Sequence, residues 1–248
     1  MLRVKNKHIE STLLSLVKRA EDFLIPPLCI ICTNTLSSDS WLCISCLSAL
    51  TLNHNTRKAC PFCSQNQQKR DCACEFAWDY SFQKIFSVYD YDDTLSSIAR
   101  QIKYKGKKRL AYHIGEICAP FIPDDYFRGI DMVIPVPLHK SRMRERGYNQ
   151  SEWFARGVLK GIVDVPLRTD LLKRIKNTGT QTALDREDRR SNLEGAFIVD
   201  SEKKGELKDK TIVLVDDILT TGATAEACTE ELIEGGCASV KILSMGRD

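Results

Sequence analysis

Eight of the eleven cysteines fall between Cys29 and Cys74 as four close pairs: Cys29/Cys32, Cys43/Cys46, Cys60/Cys63 and Cys72/Cys74. No other feature constrains the fold as tightly. Core thiols scatter, as Cys118, Cys228 and Cys237 do; thiols paired one or two residues apart converge on a ligand. Two such pairs together present four soft donors in the tetrahedral arrangement zinc favours. Disulfides are the competing use of these thiols, and the sequence argues against them. The apolar stretch from Ile9 to Ile25 is broken by Lys18, Arg19, Glu21 and Asp22, so it lacks the continuous centre of a secretion signal. The reading is therefore a cytoplasmic chain whose thiols stay reduced. Sequential pairing gives one zinc site from Cys29, Cys32, Cys43 and Cys46 and a second from Cys60, Cys63, Cys72 and Cys74; alternating pairing remains open.

A cysteine-dense segment of this length needs metal staples to hold a core. The expected organisation is an N-terminal helix over 1–27, a zinc module over 28–78 and a larger domain over 79–248. The helix is read from Ile9, Leu13, Leu16, Val17, Ala20 and Phe23 at helical spacing, with Pro26 and Pro27 as its stop. Hydrophobic residues at 43% and charged residues at 28% exclude disordered and fibrous classes. No apolar run approaches the about 18 residues of a membrane span. The formal charge of +3 would become −1 with two four-thiolate zinc sites, so overall charge does not argue for nucleic acid. Its distribution is more informative. Arg100 to Arg190 holds 20 basic against 11 acidic residues, a local excess of nine.

Beyond the cysteines the pattern becomes α/β. Ile130–Val136, Thr211–Val215 and Val240–Met245 read as buried strands, with a helix around Ala225–Glu234 stopped by Gly235 and Gly236. Strand, helix, strand in that order implies an open parallel sheet with helices on its faces. The stretch IVLVDDILTTGAT, from Ile212 to Thr224, carries the chemistry. Asp216 and Asp217 close a strand, and Thr220, Thr221, Gly222, Ala223 and Thr224 turn into a helix. Ligands of such sheets bind beyond the carboxyl ends of the strands. Backbone N–H groups and hydroxyls at a helix start seat a phosphate, and the missing side chain of Gly222 allows close approach. The two acids suit vicinal ribose hydroxyls, or oxygen ligation of Mg²⁺.

This stretch matches the phosphoribosyl-pyrophosphate (PRPP) signature of type I phosphoribosyltransferases. By that resemblance Asp216 and Asp217 face the ribose, Thr220 to Thr224 wrap the 5-phosphate, and Pro137, Leu138 and His139 supply the pyrophosphate loop. VIPVPLHKSRMRERGYNQS, from Val133 to Ser151, together with the cysteine pairs and the run from Thr178 to Phe197, resembles the ComF/GntX-type proteins. These join a phosphoribosyltransferase-like domain to an N-terminal zinc ribbon and are associated with natural transformation. The resemblance implies a type I phosphoribosyltransferase-like sheet with helices on both faces, PRPP with Mg²⁺, and structural zinc. It also implies incoming single-stranded DNA as a partner, with a competence helicase, the DNA channel or a recombination mediator as neighbours. The implied place is the cytoplasm, free or at the inner face of the cytoplasmic membrane.

The cations supply candidate anion contacts: Lys103, Lys105, Lys107, Lys108 and Arg109 in one run, and Arg142, Arg144 and Arg146 just past the pyrophosphate loop. The alternate spacing of the three arginines favours a loop or extended segment. Arg174 and Gln181 bracket a Gly/Thr-rich stretch read as a closing loop, followed by Arg186, Arg189 and Arg190. His139 reads as a phosphate contact, a helix cap or a general acid/base. Tyr148 and Trp153 read first as core aromatics and second as stacking partners for bases. Three functions follow: PRPP binding coupled to single-stranded DNA handling in uptake; Mg²⁺-dependent phosphoribosyl transfer to an unidentified acceptor; or PRPP-sensing assembly.

Overall fold

A computed structural model describes residues 26–36, 40–53, 81–104, 106–162, 165–177 and 193–247. The expected N-terminal helix, the second set of cysteines, Lys105 and the stretch 178–192 lie outside them. The chain divides into two units, Met1–Ala49 and Leu50–Asp248.

In the first unit the described backbone doubles back on itself. Leu28 and Thr35 form an antiparallel bridge, and the Cys29 N–H and Thr33 N–H bond to the carbonyls of Asn34 and Cys29. Thr33 takes φ 60° at the tip. A short helix, α1 (Ile44–Ser48), follows, with Cys43 as its N-cap.

The second unit runs β1 (Lys84–Asp90), α2 (Asp93–Tyr104), α3 (Lys108–Cys118), β2 (Met132–Pro135), α4 (Lys140–Arg146), α5 (Gln150–Ile162), β3 (Leu172–Arg174), β4 (Phe197–Val199), β5 (Thr211–Leu219), α6 (Ala223–Glu234) and β6 (Ser239–Arg247). Four strands form an all-parallel sheet in the order β1-β6-β5-β2. Ile212, Val213, Leu214 and Val215 are all buried, as expected of a strand covered on both faces. Ile212 and Leu214 join Cys228 and Leu232 of α6 in one cluster. On the other face α5 packs on β2 and β5, and α3 on β6. The expected α/β sheet with helices on both faces is what forms. β3 and β4 make a separate antiparallel pair.

Strand limits differ from the sequence reading for a physical reason. β5 does not end at Asp216 and Asp217. Its ladder with β6 continues through Asp216↔Ser244, Ile218↔Gly246 and Leu219↔Arg247, and those backbone bonds outweigh the low strand preference of two acids. β2 is shorter than Ile130–Val136 at its start, because the Asp131 carboxylate instead accepts from the Thr211 N–H and Lys210.

Helices α3 and α5 meet at glycines. A methyl group on Gly115 would lie 2.3 Å from the Phe154 carbonyl oxygen, and one on Gly157 only 1.9 Å from that of Tyr112. Their backbones touch there, which sets where the outward-facing residues of both helices come together. Among the described residues no helix is long and apolar enough to cross a membrane.

Candidate functional site

Four thiols come together in the first unit. The sulfurs of Cys29, Cys32, Cys43 and Cys46 lie within 4.8 Å of one another, and all four are free of disulfides. The Cys32 and Cys43 sulfurs are 3.5 Å apart, and the Cys46 N–H donates to the Cys43 sulfur at 3.4 Å. Burial opposes ionisation of Cys29, but backbone N–H groups of Cys32, Cys43 and Ile31 outweigh it and lower the thiol to about 6. Cys46 is pushed well up by burial and by its three thiol neighbours. Four thiolates at this separation repel strongly without a cation between them. The donor set and its spacing fit tetrahedral zinc, with sequential pairing for this site.

The second arrangement sits at the carboxyl end of the parallel sheet. Asp217 is 6% exposed, and its carboxylate forms an ion pair with Lys103 of α2 at 2.8 Å. The Asp216 carboxylate accepts from the Ser151 hydroxyl of α5 at 3.0 Å and from the Asp217 N–H at 2.8 Å. Desolvation and the adjacent Asp217 charge raise Asp216 to about 7. For Asp217 burial also pushes upward, but the Lys103 ammonium and its hydrogen bond hold it below the ordinary carboxylate range. Lys103 in turn is penalised by burial, and its two acidic neighbours still raise it. The pair thus carries one firm negative charge and one carboxyl poised near neutrality.

After β5 the chain turns through Thr220, Thr221 and Gly222 into α6. Gly222 stands at the N-cap with φ 79° and brings no side-chain oxygen to the first turn. The Ala223 N–H approaches the Thr221 hydroxyl at 3.4 Å. The left-handed conformation is one that glycine adopts at no steric cost, and the twelve-residue helix it opens presents N–H groups and a positive dipole end to an anion. From the neighbouring strand, the Val136 N–H bonds to the Val215 carbonyl at 2.8 Å. The segment Pro137, Leu138, His139 therefore leaves the sheet beside β5. The Asn149 amide donates to the Val136 carbonyl at 2.9 Å and pins the base of that loop.

His139 is the N-cap of α4, its Nδ1 accepting from the Ser141 N–H at 3.3 Å and pairing with the Ser141 hydroxyl at 2.8 Å. Of its three sequence readings, the cap is the one the geometry displays. Arg142, Arg144 and Arg146 do not lie in a loop. They lie on α4, which Gly147 ends at φ 80°. At about 100° per residue, Arg142 and Arg146 share a face and Arg144 falls opposite. Arg146 is close enough to Lys103 to oppose its charge, and Arg142 acts likewise on Arg174. Arg174, at the end of β3, lies over the Phe197 ring at 5.4 Å and within electrostatic reach of Asp216.

The lysine run is likewise divided. Lys103 turns into the carboxylate site, where it is half-buried, whereas Lys108 and Arg109 are exposed at the start of α3. Lys107 is the residue before that helix. Tyr148 is core: it is buried, and its hydroxyl donates to the Ile102 carbonyl. Trp153 is only half-buried. Sequence reasoning assigned no role to Ser151 or Asn149. Their position, at the foot of α5 and directly after the arginine-rich segment, was the available signal.

A family model for the phosphoribosyl transferase domain matches residues 149–245, which include Ser151, the carboxylate pair and the turn into α6. Three curated proteins illustrate the wider similarity. Competence protein F of Haemophilus influenzae is 25% identical over 88% of this chain and 96% of its own length. DNA utilization protein YhgH of Escherichia coli O157:H7 is 26% identical over 90% and 98%. Competence protein ComFC of Bacillus subtilis is 26% identical over 86% and 91%.

Proposed function

We propose that this chain, which belongs to the ComF-type competence family, binds PRPP at the carboxyl end of its parallel sheet and handles incoming single-stranded DNA during transformation. The observation that carries the PRPP reading is the carboxylate pair near the end of β5 followed by the glycine-capped turn into α6. Asp216 and Asp217 accept hydrogen bonds from the ribose hydroxyls, and Thr220 to Thr224 cradle the 5-phosphate. The loop at Pro137–His139 and the Arg142/Arg146 face of α4 take the pyrophosphate. The names competence protein and DNA utilization protein, borne by relatives that align nearly end to end, support the DNA half of the reading.

The residues fit a ribose diol better than a bare metal cage. Asp217 already holds the Lys103 ammonium, so a Mg²⁺ ion would be held chiefly by the ligand's own pyrophosphate oxygens and water. When bound it supplies neutralisation of that charge. Lys103 keeps Asp217 ionised and fixed, and Ser151 orients Asp216.

Calorimetry with PRPP and Mg²⁺ tests this. At about pH 8, above the raised value of Asp216, changing Asp216→Asn and Asp217→Asn together keeps size and removes both charge-assisted acceptors, which are roughly twice as strong as neutral ones. Affinity is expected to fall at least tenfold, on the order of 1.4 kcal/mol. Unchanged affinity would remove these residues from the site.

A further inference from the structure

Two large aromatic rings stand on the α3–α5 pair outside its fully buried faces. The inward face of α5 is made by Ser151, Phe154, Ala155 and Val158, and that of α3 by Leu110, Ala111, Ile114 and Cys118, all buried. Trp153 and Tyr112 belong to neither set and are half-buried. Because the helices touch at Gly115 and Gly157, the two rings meet edge to face, with centroids 6.4 Å apart and planes at 71°. Lys108 lies 4.8 Å from the Trp153 centroid and Lys160 lies 5.8 Å from that of Tyr112. Arg109 and Arg156 are exposed on the same two helices. Two acids share the face: Glu116 pairs with Lys160 at 2.6 Å and Glu152 with Arg156 at 2.8 Å, so four cations exceed the acids by two.

We infer that Trp153 and Tyr112 form a stacking platform for single-stranded nucleic acid, with Lys108 and Arg109 as its phosphate contacts. The inference rests on the DNA-handling reading above and gives it a place, on α3 and α5, separate from the carboxylate pair. Aromatic faces interleaved with cations suit single strands, whose bases expose their π-faces and whose backbone releases counterions to lysine and arginine. Lys108 is exposed, on a flexible stem. It can leave the ring to a base and take the adjoining phosphate. An acidic peptide would satisfy the cations and leave the rings without a partner, which is why nucleic acid is the better fit. Ser151 and Trp153 are two positions apart on α5, so one helix faces the sugar-phosphate pocket with one side and the strand with the other.

The experiment is fluorescence anisotropy with the full chain kept reduced and zinc-loaded. A labelled oligothymidine is compared with an oligouridine, an abasic oligonucleotide of equal length and an acidic peptide. Trp153→Leu and Tyr112→Leu should each weaken oligothymidine binding about tenfold, the loss of one stacked base. Trp153→Phe should restore most of it, and neither Leu variant should change binding of the abasic strand. Changing the exposed Lys108→Gln and Arg109→Gln together, which does not threaten the fold, should reduce the salt slope by about 1.4. Whichever of oligothymidine and oligouridine binds more tightly identifies the source of the strand. Wild-type binding that is unaltered in both Leu variants would overturn the platform and leave the DNA-handling reading standing. Absence of wild-type oligonucleotide binding at low salt would overturn both, and binding of the acidic peptide alone would assign the face to a protein.

Discussion

Stripping zinc from the reduced protein should unfold the hairpin that carries Cys29 and Cys32 while the parallel sheet keeps its structure. The hairpin's few backbone bonds, such as Cys29 N–H to Asn34 and Leu36 N–H to Pro27, hold too little apolar surface to balance the entropy of ordering the chain. Only Cys29, Leu36 and Leu42 are buried apolar residues among the described positions before Ala49. In modules of this kind the metal contributes about 10–16 kcal/mol, and that is folding energy. Hydrogen exchange should therefore show the amides of Cys29, Ile30, Thr33 and Leu36 losing protection on chelation, with those of β5 and β6 unchanged. Metal analysis of denatured protein should return at least one zinc per chain. Two is the expectation if Cys60, Cys63, Cys72 and Cys74 form the second site. Zinc-free protein with the hairpin still protected would contradict the account.

Gly157→Ala should strongly destabilise the second unit. Its added carbon would sit 1.9 Å from the Tyr112 carbonyl oxygen and 2.8 Å from the carbonyl carbon. Both are backbone atoms on a packed helix, so relief requires α3 and α5 to separate. Overpacking commonly costs about 1–3 kcal/mol, and a clash with rigid backbone belongs at the upper end. For a unit of this size that corresponds to a fall in Tm of roughly 6–12 °C. Gly161→Ala is the control, because its methyl would only touch the Ala119 side chain at 3.5 Å. Equal melting of the two variants would show that the helices do not meet at Gly157.

Much of this was legible in the sequence because it is local. The strand Ile212–Val215, the acids after it and the turn through Gly222 are contiguous, and each residue's chemistry follows from its neighbours. The cysteine pairs declare themselves by spacing. What escaped depends on distant parts of the chain. Lys103 reads as one of five surface cations, and only the packing of α2 beside β5 turns it onto Asp217. The segment KSRMRER has a single apolar residue and so no helical periodicity. It is helical because His139 caps one end and Gly147 the other, signals a search for apolar stripes passes over. Gly115 and Gly157 read as weak points in helices and are instead where two helices touch.

The placement of Asp216 makes the central claim testable by pH. Its carboxyl is raised to about 7, above the unfolded value of about 3.9. Its contribution to stability is thus present below about pH 4 and is lost as the pH rises through about 7. Ribose recognition runs the other way, because the ionised carboxylate is the stronger acceptor. The measurement is calorimetric PRPP affinity across pH 5.5 to 8.5 for the wild type and Asp216→Asn, with the ratio of the two removing the ligand's own ionisations. The account predicts a ratio that climbs through about pH 7 and levels off above it. A ratio that stays constant across the range would place the sugar somewhere other than on Asp216.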